Sequence, residues 1–343
     1  MRIPSLLGFL LAIGLSASFA GEPAPLPEGD QGLAAKYPGD AGIEKDPQVV
    51  CVEMFDGMLD QIAKRWENVK EREGLSVVAD APAGSASKTA LLVTHTGGQG
   101  TGGALYRRLQ PGFAQLFARF YVKFDPECAE IHHFGTCIGG NNPSTAWPQV
   151  KSGFPTEGDK GFWVGIEPFG KSWVWDYYTY WVEMRGSPPK GQTWGNSFIR
   201  DPKLKVEKGK WICIEQMVKL NDVGESNGEL ALWIDGKRVS HLGKGFPQGT
   251  WTFDKFNPGM TAKGVRWNRE QGNREEIPGG VPFEGFRWRT AKELTLNFVW
   301  PYVYITGAPQ GHVSRVWFDQ IVVATQYIGP LLAPSAPPST PQK

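Results

Sequence analysis

Cysteine is scarce in this chain. It occurs four times, at Cys51, Cys128, Cys137 and Cys213, and the spacings match no zinc site. Net charge is almost absent: 36 Lys and Arg stand against 35 Asp and Glu, for a formal charge of +1. This gives no whole-molecule field for nucleic acid, so an anionic ligand has to be met by a local patch. Long apolar runs are missing beyond residues 6–15, which are too few to span a bilayer. The glycine-rich stretch 97–103 has no Gly-Lys-Ser/Thr, which excludes a phosphate loop. It is expected to be a loop in which backbones approach closely. No internal repeat is present, and only residues 55–69 show helical spacing, at Met58, Leu59, Ile62, Ala63 and Trp66.

Aromatic residues, by contrast, are abundant: 14 Trp, 19 Phe and 9 Tyr. Such an excess fits a β-sandwich core, and it equally fits a surface on which pyranose rings stack. Residues 1–20 read as a secretory signal: Arg2, the apolar run, then Ser18-Phe19-Ala20 as a small-x-small cleavage site. An uncleaved anchor is the competing reading. The mature protein is expected to be secreted or periplasmic, with no membrane span. Its four cysteines then permit two disulfides, in three connectivities, with buried free thiols as the alternative. Residues 21–48, rich in Pro, Gly and Ala, are expected to be an extended lead-in. Residues 329–343 form a Pro-rich tail expected to be disordered.

Between them, residues 49–328 read as one β domain in a monomer. In 211–220, Ile212, Ile214, Gln216, Val218 and Leu220 alternate with polar or smaller neighbours, a period of two. Asn221-Asp222 to Asn227-Gly228 supplies turn chemistry, and Asp235-Gly236 is a two-residue hairpin signal. Residues 117–124 alternate as cleanly. Residues 75–78, 90–95, 131–140, 162–168, 175–185, 293–305 and 315–327 complete the strands. Residues 241–284 read as a long irregular insertion. The expected fold class is all-β, a jelly-roll sandwich of two antiparallel sheets, one of them concave.

Several residues carry a resemblance. They are Lys210-Trp211, Cys213-Ile214-Glu215, Lys219-Leu220-Asn221, Asn227-Gly228, Trp233, Asp235-Gly236 and the closing run 318–324, Phe-Asp-Gln-Ile-Val-Val-Ala. Tyr121-Val122-Lys123-Phe124 and His132-His133-Phe134-Gly135 extend it. Together they resemble the concanavalin-like jelly-roll polysaccharide lyases acting on alginate and glucuronan, and their secreted relatives. The resemblance implies a concave sheet that holds an acidic polysaccharide, with a structural calcium ion in some relatives; Asp319 is the residue nominated for such an ion. A plain surface carboxylate is the alternative for Asp319.

β-Elimination from a uronic-acid polymer needs a group that neutralises the carboxylate, a base for the C5 proton and an acid for the leaving oxygen. The catalytic candidates are His132, His133, Tyr178, Tyr180 and Arg107. The substrate-binding candidates are Arg108, Trp147, Tyr177, Trp181, Glu183, Gln216 and Lys219. Adjacent histidines on a strand point to opposite faces, so one of the pair is expected in the groove. Gln216, on an apolar face, is either a hydrogen-bond hub in the core or a groove residue. Lys219 shares a face with Glu215, and an ion pair between them is expected. Two further readings compete with the lyase: a jelly roll that binds carbohydrate without catalysis, and a glycoside hydrolase. The hydrolase needs paired carboxylates, and neither Glu183 nor Glu215 has one two or four residues away.

Overall fold

The alternating residues 211–220 become an inner strand of one of two facing sheets. In the computed structural model, residues 25–147 and 150–333 are described. Residues 1–20, expected to be a signal, and residues 334–343 of the expected tail lie outside the described residues. Sheet one is eight-stranded. Its main path runs β12 (Lys237–Leu242), β11 (Glu229–Ile234), β10 (Ile212–Lys219), β6 (Gln115–Phe124), β19 (Val313–Ala324), β4 (Ala90–Thr96), β3 (Leu75–Val78), and β1 (Val49–Glu53) pairs with the end of β19. Sheet two is six-stranded: β2 (Asn68–Lys70), β5 (Gly102–Phe113), β18 (Leu296–Tyr304), β7 (His133–Asn141), β8 (Gly161–Phe169), β9 (Val174–Tyr180). The ladders of both sheets are antiparallel. Asp235 (φ 49°) and Gly236 (φ 77°) make the expected turn between β11 and β12.

The two sheets meet through alternate residues. Phe134 of β7 stacks on Phe318 of β19, with centroids 5.4 Å apart, and touches Phe120 and Phe124 of β6. Gln216 lies in this interface, fully buried, and its Nε2 donates to the Thr136 carbonyl of the opposite sheet at 2.6 Å. It is the core hub of its two readings. All four cysteines are buried free thiols, so neither disulfide forms; with a core this large, crosslinks are not needed.

Three expectations are revised. The lead-in is not extended: residues 25–48 form short 3₁₀ turns docked on the outer face of sheet one. There Leu33, Ala34 and Ile43 join Phe117, Met217, Trp233, Tyr327 and Ile328 in a second core. The helix shrinks to α1 (Leu59–Ala63). Trp66 is instead fixed by donating its indole N–H to Glu53 Oε2 at 3.1 Å, and the chain continues into edge strand β2. The insertion is not irregular. It folds as a small sheet of β13 (Gln248–Thr252), β14 (Lys255–Pro258), β15 (Gly264–Asn268), β16 (Asn273–Ile277) and β17 (Val281–Pro282), anchored by Trp251, Phe256 and Phe283 against Trp181 and Phe198. Its strands are too short for alternation to show.

Candidate active site

The side of sheet two that faces away from sheet one carries a cleft of about 900 Å³, within the size range of ligand sites. Strand parity builds it. Gly102 and Ala104 of β5, Trp300, Tyr302 and Tyr304 of β18, Trp163 of β8 and Tyr178 of β9 all point to this side. Gly102 keeps the floor low. Its φ is +137°, and a Cβ there would fall 2.2 Å from the Val303 carbonyl oxygen. The loop residue Trp147 closes one wall, stacking near Tyr106 and Trp300, and Trp194 stands on the rim.

His132 and His133 both line the cleft, which corrects the expectation that only one would. The strand begins at His133, so alternation does not govern His132. The two rings stack at 4.4 Å. His132 Nδ1 lies 3.0 Å from Thr306 Oγ1. His133 packs 4.5 Å from the Tyr178 ring, and its Nδ1 lies 3.4 Å from Glu167 Oε2, within ion-pair reach. Burial, reinforced by His133, holds the His132 imidazole below its usual pKa, which favours the unprotonated ring. Burial pushes the Tyr178 phenol well above the usual range, and the Tyr180 hydroxyl 3.4 Å away adds to this. Tyr178 is therefore a protonated phenol. Burial also raises Glu167, offset by contact with His133 and by the Phe134 N–H at 3.0 Å.

Among the described lining residues, Lys70 is the one lysine or arginine, with Nζ 3.8 Å from the centroid of the Trp147 ring. Sequence reasoning missed it because β2 is only three residues long and shows no alternation. Glu167 was missed too. It follows Trp163 and Gly165 at strand parity, but its proximity to His133 depends on the β7–β8 register.

The other candidates lie elsewhere. Tyr180 is on the cleft side but covered, under Trp163. Tyr177 has the opposite parity and is buried between the sheets. Arg107 also has the opposite parity and faces Cys51. Arg108 is held outside the cleft by Glu67 (2.6 Å) and the Ser144 carbonyl (3.2 Å). β9 ends at Tyr180, so Trp181 turns away into the aromatic core under the small sheet, and Glu183 pairs with Arg287 at 3.4 Å. Gln216 is in the core, as described. Lys219 pairs with Glu229 at 2.7 Å rather than with Glu215, whose carboxylate is buried and accepts the Ile328 and Gly329 N–H groups.

Asp319 is not a surface carboxylate. It is buried at a bulge in β19, one oxygen accepting the Gln320 N–H at 2.8 Å and the other unpartnered. Among the described residues, no three or more His, Cys, Asp or Glu gather as a metal set. Asp56 acts on the same carboxyl, and Gln320 Oε1 beside it is also unpartnered.

Comparison with known proteins adds to this geometry. Residues 178–245 match the family model described as polysaccharide lyase 14. Among solved structures, alginate lyase Aly36B superposes with a TM-score of 0.52 at 12% identity, over 83% of this chain and 99% of that one. The fold is that of a jelly-roll polysaccharide lyase. The alginate lyase of Aplysia kurodai (TM-score 0.49, 14% identity, 81% of this chain and 99% of that one) is also similar. So is the glucuronan lyase of Trichoderma reesei (0.41, 15%, 81% and 96%). No curated protein matches the chain. The 210–236 part of the resemblance lies inside the matched segment, whereas 121–135 and 318–324 lie outside it.

Proposed function

We propose that this protein is an exported polysaccharide lyase that cleaves a uronic-acid polymer by β-elimination in the aromatic cleft. The observation that carries the reading is the ring contact of His133 with Tyr178 inside a cleft lined by tryptophans. An imidazole accepts the C5 proton, C4 and C5 become doubly bonded, the C4–O bond breaks, and the Tyr178 phenol protonates the departing oxygen. Lys70 meets the substrate carboxylate, on which negative charge gathers in the transition state. The aromatic lining of the cleft, with Trp194 exposed on its rim, gives the sugar rings an apolar surface. The family match supports the class of reaction, and residues 1–20 support export.

A hydrolase needs two reachable carboxylates. Glu167 and Asp176 are partners across β8 and β9, but both are buried. Asp176 is also committed to the N–H groups of Tyr177, Phe198, Ile199 and Arg200. The test is a screen of alginate, glucuronan and pectate, with chitosan, which has no carboxylate, as the control, followed by ultraviolet absorbance of the 4,5-unsaturated product. Binding of a polyuronate with no unsaturated product at any pH would leave a carbohydrate-binding jelly roll in its place.

A further inference from the structure

A second depression, of about 580 Å³, lies beyond the cleft where the chain after β9 meets the small sheet. Glu183, Arg185, Arg266, Trp267, Arg269 and Glu284 line it. Its charges do not cancel. Arg185 donates to Glu284 at 2.9 Å, Glu183 is engaged by Arg287, and Arg266 is held bidentately by Glu275 at 3.0 and 3.1 Å. Each lining acid is thus already matched, and Arg269 is exposed with no ion pair among the described residues. Beside it, Trp267 is fixed against Gly191, where a Cβ would fall 2.1 Å from the indole.

The two depressions share their walls. Residues 150–155 give Val150 and Ser152 to the cleft and Pro155 to the second depression. The loop that carries Gly191 under Trp267 also carries Trp194 to the cleft rim, and a Gly153–Thr193 bridge joins the two segments. On this divide Phe154 and Trp194 are 53% and 47% exposed, which is unusual for large aromatics. Aromatic surface therefore runs from Trp300, over the divide, to Trp267.

We propose that the second depression is a distal subsite for the same acidic polysaccharide, with Arg269 pairing a sugar carboxylate and Trp267 supporting a pyranose face. This rests on the cleft's being the site of polyuronate binding. A charge-assisted contact and a stacked ring act only on a chain long enough to span both depressions.

The test measures affinity for long alginate and glucuronan chains and for their trisaccharides, in wild type, Trp267→Ala and Arg269→Glu. Arg269→Glu changes an exposed side chain, so it reports on binding even where Trp267→Ala unfolds. The ratio of long-chain to trisaccharide affinity should fall roughly tenfold in Arg269→Glu, the size of one charge-assisted contact. An unchanged ratio, with wild type still cleaving the polymer, overturns the distal subsite alone. Wild type that neither binds nor cleaves any polyuronate overturns both readings.

Discussion

The two outward faces of the sandwich are built from similar residues and end in opposite states. The outer face of sheet one carries Phe117, Met217 and Trp233; that of sheet two carries Trp163, Tyr178 and Trp300. The first is sealed by residues 25–48 and by the segment after β19. Leu33 and Ile43 from one side and Tyr327 and Ile328 from the other cover its aromatics. Its polar groups are matched in kind: Asp40 pairs with the buried Arg119, the Gly329 carbonyl accepts from Arg119 at 3.1 Å, and Glu215 accepts two N–H groups. Over the second face the described chain leaves a cleft, and the imidazoles and Lys70 keep their reach to a ligand. Aromatic content alone does not distinguish a core from a groove; the segment lying over it, and the polar partners that segment brings, do.

That contrast is broken most strongly on the open face. His133→Ala should lower turnover by about 10²–10⁴-fold, the usual contribution of a general acid–base group, with an unchanged melting temperature. Initial rates of unsaturated-product release beside a thermal melt check both halves. A loss of folding would mean that His133 belongs to the core instead. On the sealed face the expected effect is the reverse. Asp40→Ala leaves the Arg119 guanidinium buried and unpaired, which should cost about 3–5 kcal/mol of stability, while residual folded protein keeps its turnover. Denaturant unfolding measures the loss.

Much of the framework was legible because period-two alternation survives wherever a strand has one face in the main core, as in β6 and β10. The groove was only partly legible. Tyr178 and Tyr177 differ by one residue and lie on opposite sides of sheet two; the sequence shows aromatics at both but not which side a second sheet covers. The histidine pair stood out by rarity, and its geometry was misjudged because the strand starts two residues later than its pattern suggests, at His133. Lys70 and Glu167 depend on register between distant strands, which no local pattern carries. The docking of residues 25–48 was hidden for a related reason: their turns contribute few apolar side chains, each placed by tertiary contact rather than by periodicity.

A third effect separates buried charge from exposed charge by pH. Burial pushes the Asp319 carboxyl up to about 8, with the Gln320 N–H pulling the other way. Its folded-state pKa is thus above the ordinary carboxyl value of about 3.9, and the folded protein holds the proton more tightly than the unfolded one. The stabilisation is complete below pH ~4 and is lost progressively as pH rises through about 8. Wild type should therefore melt at lower temperature at pH 9 than at pH 5. Asp319→Asn, which keeps the acceptor for the Gln320 N–H and never ionises, should flatten that slope. A slope identical in the two proteins would place the titration elsewhere.

The smallest effect is expected at the end of β10, where charge is neither fully buried nor part of the cleft. Lys219 lies 2.7 Å from Glu229 and is half-exposed. Glu229 also lies 2.9 Å from His241 Nε2, so losing the lysine does not leave it without a partner. Exposed pairs of this kind are worth about 0.2–1 kcal/mol because water screens them and two long side chains are immobilised to make them. Lys219→Ala should change stability by no more than that, and the difference should shrink further in high salt. It should leave cleavage untouched, since β10 belongs to the sheet opposite the cleft. A double-mutant cycle with Glu229→Gln, run at low and high salt, measures the coupling. A coupling as large as the Asp40–Arg119 loss would mean that burial is not what divides the two faces.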